Sequence, residues 1–334
     1  MRAARQGDGV AQAVSCRSGR SRGGSRIEQN DRAMTWLERR KRMEAILQTE
    51  HRRQSVTGQR QNLNHEKMAG TMGRFFRRLG LFDWGLRNAH DVRLHAVEIA
   101  DPALPQDFDG FKILFLSDLH ALNTPRVMVE AAERVPALDF DLCILGGDYQ
   151  IFAKPPAREA ARLMSPLLAV LAAMRPLYGV LGNHDRHDLV PEMEALGVEI
   201  LINRHVTVER GGARLVLIGL DDIHSFYTEA AEQALRQAPE GYRIAVIHSP
   251  EYADHAAAAG VNLYLAGHTH GGQICLPGGM PIFTATQSHR ALAAGAWRHR
   301  GMRGYTSTGL GSSDPPVRFN SRPEMALITL RRAP

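Results

Sequence analysis

Five short apolar runs, each ending in Asp, Asn or His, constrain this chain more than any other feature. Lys112–Ser117 runs into Asp118 and His120, and Leu142–Leu145 runs through two glycines into Asp148. Pro176–Leu181 runs through Gly182 into Asn183, His184 and Asp185. Arg243–Ile247 runs into His248, and Leu263–Ala266 runs through Gly267 into His268 and His270. Runs of four to six apolar residues read as buried strands. Helical patterns separate them at about 126–135, 157–174, 190–196, 229–237 and 251–259. Strands alternating with helices predict an α/β sandwich.

The flanking segments make the predicted sheets mixed. Val92–Ile99 alternates apolar and polar residues, as a half-buried strand does. Val206–Glu209 and Arg214–Leu220 flank Gly211-Gly212 and read as a hairpin. Met325–Arg331 alternates and closes a sheet. Residues 276–323, rich in Gly, Pro, Ser and Arg, read mostly as loop.

In open α/β sheets, ligands gather at the carboxyl ends of the strands. A lone Asp at such an end is ordinarily a cap or turn former, and a lone His a structural residue. Ten of the fifteen histidines lie outside the pattern and take that bland reading. Five strand ends bearing Asp, Asn or His form one constellation. Its donors are oxygen and imidazole without thiolate, which favours Mn, Fe, Zn or a similar borderline ion. A metal pair needs one bridging group. Asp148, alone on its strand end behind two glycines, suits that bridge.

These motifs resemble the calcineurin-like metallophosphoesterases over about residues 111–331. The matching segments are D-x-H at Asp118/His120, G-G-D ending at Asp148, G-N-H-D at Gly182–Asp185, the isolated His248, and G-H-T-H at Gly267–His270. The resemblance implies a four-layer α/β/β/α sandwich of two mixed sheets and two divalent metal ions. Asp118, His120, Asp148 and His270 would hold one ion; Asp148, Asn183, His248 and His268 would hold the other. His184 would act as general acid or phosphate stabiliser, oriented by Asp185. The implied reaction is attack of a metal-bridging hydroxide on a phosphodiester, pyrophosphate or lipid-linked phosphate. Nuclease and cyclic-nucleotide phosphodiesterase activities are the alternatives. Gly309–Glu324, with Gly271-Gly272-Gln273, also looks like the bacterial subgroup of small membrane-associated phosphohydrolases. Arginines at 290, 298, 300, 303, 318 and 322 offer planar forks suited to phosphate, and Arg318 to Asn320 is expected to be structural or substrate-side.

Charge is uneven along the 334 residues. Residues 1–80 hold 18 Lys/Arg against 7 Asp/Glu, and the remainder 23 against 28. Residues 1–67 therefore read as a basic, disordered extension, with a charged helix expected over 33–54 and polar coil over 55–70. Met68 and Met72 are alternative starts that would leave that extension unmade. Residues 68–91 form an amphipathic segment, and 92–334 the catalytic domain. Within residues 72–86, Phe75, Phe76, Leu79, Leu81, Phe82 and Trp84 are interleaved with Arg74, Arg77 and Arg78. Such a segment suits either a bilayer interface or a helix packed on the protein's own core. A basic-tailed binding module without catalysis is the alternative from another class. The tail lacks a recognised nucleic-acid reader, so nucleic acid is not an expected partner. Cys16, Cys143 and Cys275 form no motif, and no apolar run reaches about 18 residues. A reducing, cytoplasmic setting is expected, with peripheral attachment to the inner face of a membrane.

Overall fold

In the computed structural model, the described residues are 34–57, 63–151, 156–286 and 288–334, with backbone alone at 50–57 and 63–68. The disorder expected over 1–32, and Cys16 within it, lie outside the described residues. In chain order the strands are β1 (Arg93–Asp101), β2 (Lys112–Leu116), β3 (Leu142–Leu145), β4 (Leu177–Gly179), β5 (Glu199–Ile200) and β6 (Arg204–Arg210). They continue with β7 (Ala213–Gly219), β8 (Tyr242–Val246), β9 (Leu263–Ala266), β10 (Gly295–His299), β11 (Met302–Thr306) and β12 (Glu324–Arg332). The α-helices are α1 (Trp36–Thr57), α2 (Leu63–Arg78), α3 (Phe82–His90), α4 (Pro125–Arg134), α5 (Ala157–Met174), α6 (Leu189–Ala195), α7 (Glu229–Arg236) and α8 (Ala253–Ala258).

The strands form two six-stranded sheets, ordered β1-β12-β2-β3-β4-β5 and β10-β11-β9-β8-β7-β6. Both are mixed. β2 to β5 run parallel, β12 is antiparallel to β2, and β1 is parallel to β12. In the other sheet β7, β8, β9 and β11 are parallel, while β6 and β10 are antiparallel edge strands.

Alternation along each strand builds the layers. Ile113 and Phe115 of β2 meet Leu215, Leu217, Ile244, Val246, Leu263 and Leu265 of the second sheet in the central core. The opposite register of the second sheet, Val216, Ile218, Ala245 and Tyr264, packs on Ala231 and Leu235 of α7 and Ala253 and Ala256 of α8. α4 and α5 pack on each other beside the first sheet. Two mixed sheets with flanking helices are the expected sandwich. Among the described residues no helix is long and apolar enough to cross a membrane.

Three expectations change. The stretch 276–323 contains the β10–β11 hairpin, hidden because its outward residues are Arg298, His299 and Arg303 and its turn carries Arg300-Gly301. Trp297 lies across Gly304 there, where an added Cβ would meet the indole at 2.1 Å. The polar stretch 55–70 is largely helical, since α1 runs to Thr57 and α2 starts at Leu63. The segment 72–86 divides its apolar groups. Met72, Phe76, Leu81 and Phe82 pack on Ile274, Val317 and Phe319, whereas Phe75, Leu79 and Trp84 stay exposed.

The charged helix expected over 33–54 is α1, but two of its charges are not solvated. Arg40 is 2% exposed, pairs with Asp221, and donates to the backbone oxygen of Asp185 at 2.6 Å. Glu44, also 2% exposed, accepts from the amide of His187 at 2.7 Å and meets its Nδ1 at 2.6 Å. Together they hold the 182–188 turn from outside. Arg40→Ala removes the guanidinium from beside the buried Asp221 carboxylate and is expected to cost about 3–5 kcal/mol in urea unfolding. Adding Asp221→Asn should recover part of that loss.

Candidate metal centre

Strands β2, β3, β4, β8 and β9 end side by side, and each hands the chain to a sharp turn. Five residues at these turns have left-handed backbone: Asp118 (φ 52°), His120 (37°), Asp148 (57°), His268 (71°) and His270 (52°). This region is disfavoured for side-chain-bearing residues and collects where surroundings over-determine the backbone. Gly267 allows the close crossing between β9 and β2. A Cβ there would lie 1.9 Å from Ser117 Oγ and 2.3 Å from Asp118 Oδ2.

The turns bring two clusters together. Asp118, His120 and His270 form one, and Asp148, His248 and His268 the other; within each, the ligand atoms lie within 4.8 Å of one another. His270 Nε2 is 3.4 Å from Asp118 Oδ1 and 3.1 Å from His120 Nε2. Asp148 Oδ2 is 3.1 Å from His248 Nε2 and 3.8 Å from His120 Nε2, so one carboxylate oxygen faces both clusters. The His268 amide donates to both oxygens of Asp118, at 3.0 and 3.1 Å, tying the second cluster to the first.

Three imidazoles are set in a ligand's tautomer. The other ring nitrogen of each faces a backbone carbonyl: His120 Nδ1 to Gln150 at 3.1 Å, His248 Nδ1 to Gly146 at 2.8 Å, and His268 Nε2 to Ala285 at 3.3 Å. A carbonyl only accepts, so these nitrogens carry the proton and the inward ones present lone pairs. Metal-ligating histidines are held in this way.

A metal therefore fits. His248 Nε2 and Asn183 Oδ1 are buried without a hydrogen-bond partner, and both belong to the expected ligand set. The bare His248 nitrogen faces a carboxylate oxygen, an arrangement that needs a cation between them. Without a metal that cation is a proton. Burial opposes charge on His248, but Asp148 raises its pKa to about 10. Burial opposes charge on Asp148 too, yet His248 and His184 hold its carboxyl well below the usual range. Burial, opposed in part by Asp148, lowers His120 to about 4, and burial with the neighbouring His248 lowers His268 to about 3. Those two stay neutral, as ligands must. Burial pushes Asp118 up to about 6.

The expected catalytic pair, His184 and Asp185, sits in the turn that follows β4. The His184 ring sits 5.4 Å from the His120 ring, beside the first cluster. Asp185, next in sequence, is wholly buried. Its carboxylate accepts from the amides of Gly182, Asp148 and Tyr149 at 2.8 Å each, and of Gln150 at 3.3 Å. Four backbone donors saturate it, so it positions Asp148 and the Gly182 turn. Burial, then the charge of Asp148, pushes it to about 7.

The arginines also divide. Arg318 is wholly buried and caps the carbonyls of Thr308 and Gly309, at 2.8 and 3.3 Å. It thereby shapes the loop whose Leu310 and Gly311 amides bond the Ser117 and Asp118 carbonyls. Arg300 pairs with Asp254, Arg303 bonds the Ala100 carbonyl, and Arg322 pairs with Asp91, so these three serve the fold. Sequence reasoning missed Arg40 and Glu44, and also Asp221-Asp222. That pair follows β7 and is a sixth strand end with buried carboxylates. Its signal was visible in the run Leu215–Leu220 before the two acids.

Residues 111–272 match the calcineurin-like phosphoesterase family. The chain is 29% identical over 254 residues to the uncharacterized metallophosphoesterase YkuE of Bacillus subtilis, covering 72% of this chain and 86% of that one. It is 30% identical over 234 residues to phosphodiesterase YaeI of Escherichia coli, covering 66% of this chain and 82% of that one. Among solved structures, Haemophilus influenzae NAD nucleotidase superposes with a TM-score of 0.41 at 14% identity, over 60% of this chain. This chain spans 45% of that nucleotidase. Motifs, sandwich, ligand clusters and relatives agree: the chain belongs to the calcineurin-like phosphoesterase family and is a metal-dependent phosphoester hydrolase.

Proposed function

We propose that the chain hydrolyses a phosphodiester or pyrophosphate bond of a lipid-linked substrate, using two divalent ions that share Asp148. The reading rests on one observation: Asp148 Oδ2 faces His248 at 3.1 Å and His120 at 3.8 Å, between the two clusters. Asp118, His120 and His270 would complete one ion's shell, and Asn183, His248 and His268 the other's. Bound ions supply positive charge to the phosphoryl oxygens and make coordinated water acidic. The protein does the remaining work. Asp185 fixes the Asp148 backbone, and Asp148 Oδ1 accepts from the His184 amide at 2.9 Å, setting the His184 backbone beside the clusters. His184 Nδ1 or Nε2 then delivers a proton to the departing oxygen. Mn, Fe and Zn suit this donor set. The diester preference also draws on the name of the relative YaeI, a phosphodiesterase.

The membrane component rests on exposed apolar side chains in two segments. Phe75, Leu79 and Trp84 are exposed on one segment and Leu276, Met280, Ile282 and Phe283 on the other, and Trp84 packs edge-on against Phe319. Arg74, Arg77 and Arg78 are exposed on the same helix as Phe75. Apolar groups rimmed by arginine match an anionic lipid surface. The exposed loop continues directly from the His268–Gln273 turn, so docking there sets the metal centre near lipid headgroups. Buried Cys143 and Cys275 are free thiols, in keeping with the cytoplasmic face.

Protein loaded with Mn²⁺ should hydrolyse bis-p-nitrophenyl phosphate, and metal-replete protein inert toward a broad phosphoester panel refutes the reading. His184→Ala should lower kcat by about 10²–10⁴-fold while elemental analysis finds unchanged metal. EDTA should abolish turnover and lower stability by about 2.7 kcal/mol relative to metal at one hundred times its Kd. Phosphatidylglycerol vesicles should sediment the full chain, and Phe75→Glu/Trp84→Glu should release it with bis-p-nitrophenyl phosphate turnover intact. Equal sedimentation of both proteins removes the membrane component alone.

A further inference from the structure

Away from the two clusters, Asp254, His289 and His299 also offer ligand atoms within 4.8 Å of one another. Asp254 lies on α8, His299 ends β10, and His289 precedes the short 3₁₀ turn Arg290–Leu292. Both imidazoles aim Nε2 at the same carboxylate. His299 Nε2 is 2.7 Å from Asp254 Oδ1, and His289 Nε2 is 3.2 Å from Oδ2. Neighbouring ligand atoms around a tetrahedral ion with bonds of about 2.05 Å lie about 3.3 Å apart. All three residues are half-buried, which leaves an entry path.

The proton on His289 can be placed. Ser288 Oγ lies 2.9 Å from a Glu251 carboxylate oxygen, which only accepts, so the serine donates its proton there. Ser288 Oγ must then accept from His289 Nδ1, 2.9 Å away. With its Nδ1 proton committed to Ser288, His289 aims Nε2 at the Asp254 carboxylate, the geometry in which both could ligate one cation. A carboxylate–hydroxyl–imidazole chain of this kind fixes the tautomer of a metal ligand. Arg300 Nε, 3.0 Å from Asp254 Oδ1, shares the carboxylate charge.

We propose that Asp254, His289 and His299 form an auxiliary site for a borderline divalent ion such as Zn²⁺, separate from the phosphoesterase centre. It staples the segment 284–293 to α8 and β10. That segment borders the catalytic ligands: Ala285 O faces His268 Nε2 at 3.3 Å, and Ala293 O accepts from Thr269 Oγ1. The other Glu251 oxygen is 3.3 Å from His224 Nε2, and the His224 ring stacks on His268 at 5.2 Å. An ion at the auxiliary site thus steadies the wall against which His268 is set.

The test equilibrates the full chain with ZnCl₂, desalts it, and measures zinc per chain beside a His289→Gln/His299→Gln variant. Wild type should retain one zinc more than the variant, with matching circular dichroism. Zinc should also slow amide exchange in 284–293 of wild type but not of the variant. Asp254→Asn, a single exposed-side change, decides the matter should the double variant fold poorly, and it too should hold one zinc fewer. Equal zinc content in wild type and a folded variant overturns the site. Equal zinc protection of 284–293 in both overturns the staple.

Discussion

Asp185 is the residue on which the metal-binding end of the sandwich depends. One buried carboxylate gathers amides from the turn after β3 and the turn after β4. Those turns carry Asp148, Asn183 and His184, so a single acceptor sets the spacing of these three residues. Burying three carboxylates, Asp118, Asp148 and Asp185, in one place is costly unless each is compensated. Asp185 is compensated by backbone donors. Asp148 is faced by His120 and His248, whose Nδ1 protons are committed to backbone carbonyls, and Asp118 accepts from the His268 amide beside His270. The strand ends thus separate into one carboxylate held by backbone donors and two that face imidazoles.

The compensation reaches further out than the ligands. Arg40 and Glu44 of α1 hold the same turn from its outer side, and Arg318 holds the loop that lies across Asp118. Both arginines are buried beside several acceptors, the Asp185 carbonyl and Asp221 carboxylate for Arg40 and the Thr308, Gly309 and Gly311 carbonyls for Arg318, which a fork of five donors can satisfy at once. A lysine would leave most of those acceptors unsatisfied.

The sandwich and the strand ends that bring the clustered residues together were legible in the sequence for one reason: buried parallel strands are continuous apolar runs, and their ends stand out against them. Leu263–Ala266 and Ala157–Met174 begin and end where the pattern placed them. The β10–β11 hairpin was not legible, because an edge strand shows solvent its polar side and Gly304 offers no side chain to count. The docking of α1 was hidden for the opposite reason. Arg40 and Glu44 look like solvated charges until Asp221 and His187, far along the chain, supply their partners. The backbone contacts of Asp185 were not legible either: its oxygens turn toward the amides of Gly182, Asp148 and Tyr149, which nothing in the adjacent residues announces. No local pattern reveals which way a carboxylate faces.

The left-handed turns at Asp118, His120, Asp148, His268 and His270 have a consequence for how such a centre can drift over generations. Asn, Asp and His tolerate that backbone, Gly adopts it readily, and β-branched residues resist it. A lineage losing its ions would therefore pass through Asn or Gly at these places, keeping the turns while emptying them of charge. Val or Ile there would break the scaffold as well as the chemistry, leaving descendants little chance of survival as folded, inactive proteins.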